Sequence, residues 1–154
     1  MELLNEIPDP EVPAISIVEL GVVRDVIEGE KEFKILITPT YSGCPALHAM
    51  QSAIKQTLNE KGIDHSIEIV LSPAWTTEWM SDAVKEKLRA YGIAPPKPKT
   101  GNEQKLFSTS FDEIACPFCK SNQTQLESVF GSTACKSLHY CLQCQQPFEH
   151  FKCH

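Results

Sequence analysis

Two Cys-x-x-Cys pairs, Cys116–Cys119 and Cys141–Cys144, stand 21 residues apart in the last third of this 154-residue chain. A tetrahedral zinc ion needs four soft ligands, and each pair can supply two thiolates from one tight turn. The gap slightly exceeds the roughly 15 to 20 residues that are usual between such pairs, which indicates a small insertion. A redox role is the alternative for a single pair. Two pairs on a segment too small to bury a core favour a metal, so we predict a zinc ribbon over residues 106–154.

The bulk composition limits the class of protein. Hydrophobic residues make up 42% of the chain and charged residues 22%, as in an ordinary globular protein. No apolar run approaches the roughly 18 residues of a membrane helix, and the segment Met1–Glu6 is acidic, unlike a secretory signal. We therefore predict a cytoplasmic protein that does not bind membranes, in which the seven cysteines are ligands or free thiols rather than disulfides.

Charge is distributed unevenly along the chain. Residues 1–92 hold 8 Lys/Arg against 15 Asp/Glu, a net charge of −7, whereas residues 93–154 hold 6 against 5, a net charge of +1. Phosphate neutralisation supplies much of the affinity of nucleic-acid binders, which therefore carry a basic face. Neither part of this chain does, so nucleic-acid binding is disfavoured.

A linker separates two predicted domains. Residues 93–102 contain three prolines and a glycine with no apolar period, which predicts a stiff, extended and solvated connection. We place an α+β domain at 1–92, the linker at 93–105 and the ribbon at 106–154. The ribbon's strands are expected near 123–130 and 147–152, and metal would be a condition of its folding because the segment is so short.

Strand and helix patterns alternate before the linker. They predict a two-layer α/β sandwich in which helices cover one face of a small sheet. The predicted elements are a hairpin of Val22–Ile27 with Phe33–Ile37, a helix over Pro45–Lys61 that ends at Gly62, a strand containing Ile67, Ile69 and Leu71, and a helix that begins near Thr76 or Thr77 and ends at Gly92.

Cys44 lies between the end of a predicted strand and the start of the first long helix. Pro45 suits the first helical position, so that Cys44 would cap the helix with its sulfur facing unsatisfied N–H groups. This setting lowers the pKa of a thiol and favours the thiolate that binds metal or attacks. The alternative is a small buried residue at a strand–helix corner, and the sequence weighs the two equally.

Asp9 and Glu11 flank Pro10 in a loop where two nearby carboxylates could bind metal or act as acid and base. They are more often solvated loop residues or helix caps, and the role as caps carries more weight. Cys135 stands six residues before Cys141 and is either a replacement ligand or a free thiol. Cys153, His150 and His154 form a weak candidate for a second metal site, and His48 is expected on a helix surface.

Five segments of the sequence carry a resemblance to a known family: Asp9–Pro13, Thr40–Pro45, Ser72–Thr77, Tyr91–Pro96 and Phe130–Lys136. With them the chain resembles the PaaD (PaaJ) family of phenylacetate-degradation proteins. The first two segments alone would indicate only the broader iron–sulfur-assembly family that includes SufT. Ser72–Thr77 and Phe130–Lys136, together with the ribbon, narrow the resemblance to PaaD.

The resemblance implies an α-β-β-α-β-β fold followed by a zinc-binding domain. It also implies a role beside the di-iron oxygenase that converts phenylacetyl-CoA to its ring 1,2-epoxide, with the oxygenase and reductase subunits as partners. The family's thiol corresponds to Cys44, its acidic loop to Asp9 and Glu11, and the supporting loop to Thr40 and Pro45. Zinc is the implied resident metal, with iron or an iron–sulfur cluster bound only in transit, and a homodimer is left open.

Three hypotheses follow from these residues. A maturation factor would use Cys44 to handle iron or a cluster while the ribbon docks a client subunit. A non-catalytic interaction subunit would use Cys44 as a structural residue. A thiol oxidoreductase would pair Cys44 with Cys135 or Cys153. The chain has no di-iron carboxylate–histidine pair and no dinucleotide motif, so we do not expect it to be catalytic alone.

Overall fold

The first β-sheet is built around a hairpin. In the computed structural model, which describes residues 1–41, 43–96 and 114–152, β1 (Val23–Glu28) pairs antiparallel with β2 (Phe33–Ile37). β3 (His65–Ile69) then adds in parallel to β2, which gives the order β1-β2-β3. Ile35 and Ile37 point to one buried face, as the alternation of the sequence predicts, and Phe33 lies at its margin, 36% exposed.

Two helices lie on the buried face of this sheet. α1 (Glu2–Asn5) is one turn long, and α2 (Ala46–Glu60) connects β2 to β3. The buried residues of α2 recur at helical spacing, and Gly62, with φ of +65°, follows its end as predicted. His48 is exposed on this helix. The buried residues of α2 are Ala46, Met50, Ile54 and Leu58.

The second predicted helix differs from the structure at its start. Thr76 caps only a 3-10 turn, Thr77–Trp79, and Met80 is extended. α3 covers Asp82–Ala90, beginning after Ser81, whose hydroxyl accepts the N–H of Val84. Two competing capping residues thus divide a segment that reads as one helix. Tyr91, which the predicted helix includes, follows α3 and is exposed. Leu71, which the predicted third strand includes, lies beyond the end of β3 and is likewise exposed.

The second sheet has four strands in the order β4-β7-β6-β5. β5 (Thr124–Ser128) and β7 (Pro147–Phe151) lie where strands were expected. The central strand β6 (Lys136–Cys141) was not predicted, because Lys136 and His139 interrupt its apolar pattern. Both are buried, and Lys136 is held there by an ion pair with Glu149.

The beginning of the predicted linker is also a strand. Gly92 adopts φ of +91°, and β4 (Ile93–Ala94) then pairs in parallel with β7. Ile93 and Ala94 were expected to be solvated but are buried, because they pair with β7 in the second sheet. The chain order is α-β-β-α-β through β3, as predicted, but the next strand joins the second sheet. Residues 97–105 lie outside the described residues, and the predicted domain limits stay a prediction.

The chain groups into two compact units that divide between Val84 and Lys85, within α3. None of the helices in the described residues has the length and apolar character needed to cross a membrane. The mixed α+β fold class with two sheets is confirmed.

Candidate metal centre and the Cys44 loop

The four cysteines of the two pairs converge on one point. The sulfurs of Cys116 and Cys144 lie 3.7 Å apart and those of Cys119 and Cys141 lie 3.5 Å apart. All four lie within 4.8 Å of one another. Four thiolates at about 2.3 Å from a tetrahedral ion are separated by about 3.8 Å from each other. The cluster therefore fits a single tetrahedral metal ion.

The two Cys-x-x-Cys turns share one backbone design. In each, the carbonyl of the first cysteine accepts the N–H of the residue four positions later, Lys120 or Gln145, at 2.9 Å. Both of these non-glycine residues take a left-handed backbone, with φ of 63° and 57°. Such a conformation is uncommon for them, and here it folds each pair back so that its N–H groups approach the sulfurs.

The thiols of this cluster cannot all lose their protons without a cation. A hydrogen bond from the backbone of Cys144 lowers the pKa of Cys141 to about 7. Burial raises the pKa of Cys144 to about 12, and its sulfur neighbours act in the same direction. Burial also raises the pKa of Cys116. A metal ion supplies the positive charge that replaces the protons of all four thiols.

An apolar shell surrounds one side of the cluster. Cys116 and Cys141 are buried together with Ala94, Ile114 and Phe148. Excluding water from metal–thiolate bonds protects them from exchange and also ties the metal to folding, because the same sulfurs belong to the ribbon's core. Cys119, by contrast, is exposed, so one edge of the cluster faces solvent.

Cys44 lies at the corner between β2 and α2, as the sequence predicts. The predicted cap is wrong by one residue, because Pro45 is the N-cap and Ala46 is the first helical residue, so that Cys44 precedes the cap. Hydrogen bonds to the Cys44 sulfur come from the backbone N–H groups of Ala46 and Leu47 and from the side chain of Thr40. Cys44 is 8% exposed and Thr40 is 7% exposed. The sulfur therefore faces the start of α2 from within the protein.

The predicted lowering of the Cys44 pKa is wrong in direction. Burial raises the pKa of the thiol, and the charge of Glu11 also raises it, against the lowering effect of Ala46, Thr40 and Leu47. The N–H groups at the start of α2 do reach the sulfur, as predicted. Their effect is outweighed by burial, which excludes the water that would solvate a thiolate and which the sequence does not reveal.

Alkylation of Cys44 should therefore be slow at neutral pH. We expect iodoacetamide to modify Cys44 of the zinc-loaded protein more slowly than a free thiol at a pH of about 7.5, and the rate to rise as pH increases, because only the thiolate reacts. Peptide mass spectrometry measures the rate, with the Cys44→Ala variant identifying the peptide. Modification at the rate of a free thiol would show that Cys44 is accessible and that the pKa of its thiol is not raised.

Asp9 and Glu11 do not form a matched pair of carboxylates. Asp9 is 2% exposed, and its Oδ1 accepts the backbone N–H groups of Glu11 at 2.9 Å and Val12 at 2.7 Å. It therefore caps its own turn. The sequence favoured a capping role but expected a helix cap, and the described structure has no helix that begins at this loop. Glu11 is half-buried, close enough for its charge to act on Cys44. The two carboxylates thus have different surroundings.

A groove of about 320 Å³ lies beside the loop that carries Cys44. Thr40 and Tyr41 line one part, and Leu71 and Trp75 line another. Trp75 is buried and donates its indole N–H to the carbonyl of Leu20 at 3.0 Å. Residues 72–77 were predicted only to carry the family resemblance, not to line a groove. The signal in the sequence was Trp75, a large apolar side chain in a segment of proline and threonine residues.

Cys135 does not belong to the four-cysteine cluster in the described residues. It is buried, and its sulfur lies 3.0 Å from Oγ1 of Thr133. Cys153 and His154, the other parts of the weak second metal candidate, lie outside the described residues.

Comparisons with known proteins match both parts of the chain. The model of an iron–sulfur cluster assembly protein family matches residues 1–69, and that of the PaaD zinc beta ribbon domain matches residues 100–152. A relative from Escherichia coli (strain K12), named as one subunit of a "Putative 1,2-phenylacetyl-CoA epoxidase", is 43% identical over 152 residues. These residues cover 98% of this chain and 89% of the relative.

Two solved structures resemble the chain over its first part. One is a domain of unknown function, DUF59, from Bacillus anthracis, with a TM-score of 0.52 at 32% identity. The match covers 56% of this chain and 85% of the Bacillus anthracis chain. A conserved hypothetical protein from Thermotoga maritima has a TM-score of 0.48 at 28% identity, with coverage of 56% and 87%.

The fold and the four-cysteine cluster define a class, in which an α+β domain of the iron–sulfur-assembly type is joined to a metal-binding β-ribbon. Within this class, the chain belongs to the PaaD family, as does its phenylacetyl-CoA epoxidase relative. The resemblance predicted from the sequence is thereby confirmed.

Proposed function

We propose that this chain is an accessory component of a multicomponent phenylacetyl-CoA 1,2-epoxidase system. Its role is the maturation or delivery of the system's iron or iron–sulfur centre in the cytoplasm. The relative named as part of such an epoxidase supports the system, and the assembly family matched at residues 1–69 supports the role. The partners in this proposal are the oxygenase and reductase subunits.

The metal that we propose for the ribbon is zinc. A closed set of four thiolates with no open position is typical of structural zinc, which has no redox chemistry of its own. A polynuclear iron–sulfur cluster would bind the four cysteines through different iron atoms and would hold their sulfurs further apart than the 4.8 Å limit observed here. The ligands would be Cys116, Cys119, Cys141 and Cys144.

The surroundings of the Cys44 sulfur carry the proposal for iron handling. Three hydrogen-bond donors converge on this sulfur, from Ala46, Leu47 and Thr40. Such donors stabilise a thiolate, while burial keeps the proton in place until a cation replaces it. Cys44 is therefore suited to a metal ion and unsuited to nucleophilic attack at neutral pH.

The metal ligands around Cys44 are too few to complete an iron site, which favours transfer of iron over its storage. In the described ranges, the only group of three or more cysteine, histidine or acidic side chains placed to share a metal is the four-cysteine cluster. Glu11 is the acidic group whose charge acts on Cys44. An iron ion at Cys44 would thus take further ligands from a donor or from the client subunit, which makes release easy.

A second candidate is an interaction subunit in which Cys44 is structural. The burial of Cys44 and its raised pKa favour this alternative. The thiol oxidoreductase has less support, because Cys135 is also buried and Cys153 lies outside the described residues.

Metal content separates the two candidates. Protein co-expressed with its oxygenase and reductase subunits and purified without oxygen should contain one zinc, and iron that is lost in Cys44→Ser. Cys135→Ser is the matched control and should keep both metals. Equal iron in the wild type and Cys44→Ser would remove Cys44 from the proposal, and iron in neither would favour the interaction subunit.

A further inference from the structure

The loop of residues 129–135, between β5 and β6, presents two large apolar side chains at the surface. Val129 is 56% exposed and Phe130 is 63% exposed. Together they form what we call the ribbon tip. The ribbon tip belongs neither to the proposed zinc site nor to the Cys44 loop. Phe130 is nevertheless part of Phe130–Lys136, one of the segments that carry the resemblance to the PaaD family.

Buried charge holds the base of this loop. Lys136 Nζ lies 2.9 Å from Oε2 of Glu149, with side-chain exposures of 4% and 22%. Oε1 of Glu149 accepts the backbone N–H of Ser132 at 2.5 Å. An ion pair so little exposed is costly to break, because either partner alone would be a buried charge. It fixes the loop to β7.

Close packing leaves no freedom at Gly131. Its N–H donates to the carbonyl of Lys136 at 2.8 Å. A Cβ added at Gly131 would lie 2.6 Å from Oε1 of Glu149 and 3.4 Å from Cβ of Lys136. Since Glu149 is itself held by Lys136 and Ser132, it cannot readily move aside. Residue 131 must be glycine for Phe130 to keep its position.

Lys152 places a positive charge beside the ribbon tip. Its Nζ donates to the carbonyl of Val129 at 2.9 Å and lies 4.7 Å from the centre of the Phe130 ring. The backbone N–H of Lys152 donates to the carbonyl of Cys135 at 2.9 Å. The apolar pair and the ammonium group are thus held in one fixed arrangement.

We propose that the ribbon tip is the docking element for a protein partner, with Phe130 entering an apolar socket that carries a carboxylate at its rim to meet Lys152. A rigid loop loses little conformational entropy on binding, and an aromatic side chain next to a cation is the usual composition of an interface hot spot. A lone lysine beside two apolar side chains gives little attraction for an anionic membrane, which favours a protein socket.

This inference rests on the proposed function, which supplies the candidate partners: the oxygenase and reductase subunits. Binding of each purified subunit to the full zinc-loaded chain is measured by calorimetry. Phe130→Ala should raise the dissociation constant for one of the two subunits by about tenfold or more. Lys152→Glu should weaken it further than Lys152→Met. Leu142→Ala is the matched control, because Leu142 is 54% exposed on a cysteine turn away from the tip, and it should bind as the wild type does.

Two further variants distinguish docking by the ribbon tip from a loss of folding and from a general loss of exposed aromatic surface. Gly131→Ala keeps Phe130 but displaces it, and should also weaken binding while zinc stoichiometry stays at one. Tyr91→Ala removes a different exposed aromatic side chain, 56% exposed and outside the metal site and the Cys44 loop, and should bind the subunit as tightly as the wild type. If the wild type binds a subunit and Phe130→Ala binds it equally well, the docking inference is overturned and the proposed function stands.

Two other outcomes would also overturn the docking inference, either together with the proposed function or in its choice of a protein as the partner. A wild-type chain that binds neither subunit would overturn the inference together with the proposed function. Phe130-dependent binding to vesicles of anionic lipid, or Phe130-dependent self-association in sedimentation, without subunit binding, would replace the protein socket by a membrane or a second copy.

Discussion

Cys116→Ser should abolish stoichiometric zinc binding and unfold the sheet of β5, β6 and β7. Cys116 is 1% exposed and belongs to both the four-cysteine cluster and the apolar group beneath it. Structural zinc contributes roughly 10–16 kcal/mol to the folding of small zinc-finger peptides, so a segment of this size has no comparable reserve. Metal analysis and NMR of the amide signals of residues 124–151 measure the two effects.

Two controls connect the unfolding to the metal. Cys135→Ser removes a thiol that lies outside the cluster and should retain one zinc and a native ribbon. A strong chelator added to the wild type should reproduce the loss of the ribbon signals, and restored zinc should reverse it. A Cys116→Ser protein with full zinc and a native ribbon would show that the ligand assignment is wrong.

Cells that carry Cys44→Ala should produce oxygenase or reductase subunits that are short of iron or cluster. In the proposed function the Cys44 thiolate holds iron before the client's first turnover, with Thr40 and the start of α2 stabilising its charge. Loss of the sulfur removes that step and leaves the fold in place, since alanine is also a small residue that tolerates burial. The iron content of the subunits should fall several-fold.

The comparison must separate metal handling from lost protein. Cys44→Ala should keep its zinc and its abundance, because the four-cysteine cluster is a separate group of ligands. Thr40→Val, which removes one donor to the sulfur, should give an intermediate loss of iron in the client. Normal iron in subunits from Cys44→Ala cells, with the variant folded and abundant, would leave Cys44 with a structural role.

The sequence predicts the parts of the structure that depend on local patterns. The hairpin, α2 and the four-cysteine cluster follow from alternation, helical spacing and paired cysteines, which are all short-range signals. β4 and β6 were missed because their place is set by pairing with β7. The two residues of β4 are too few for any periodicity, and Lys136 in β6 is stabilised by Glu149, a partner 13 positions away.

The sequence predicts the candidate sites less completely than it predicts the fold. Position in the sequence located Cys44 at the start of α2, yet the direction of its pKa depends on how much of the fold covers it. A capping role for Asp9 was favoured, but as a helix cap; that Asp9 instead bonds its own turn depends on the local backbone of residues 9–12. The rigid ribbon tip could not be predicted, since Gly131, Glu149 and Lys152 meet only when β5, β6 and β7 assemble.

The central claim is that this chain acts while the epoxidase system is built and not during turnover. Fully loaded oxygenase and reductase subunits are purified from normal cells, freed of this chain, and assayed for epoxidation of phenylacetyl-CoA with and without it. We expect the same rate in both cases, whereas subunits from Cys44→Ala cells should recover only after iron and the wild-type chain are supplied together. Loaded subunits that stay inactive until a stoichiometric amount of this chain is added back would contradict maturation and make it a working subunit of the complex.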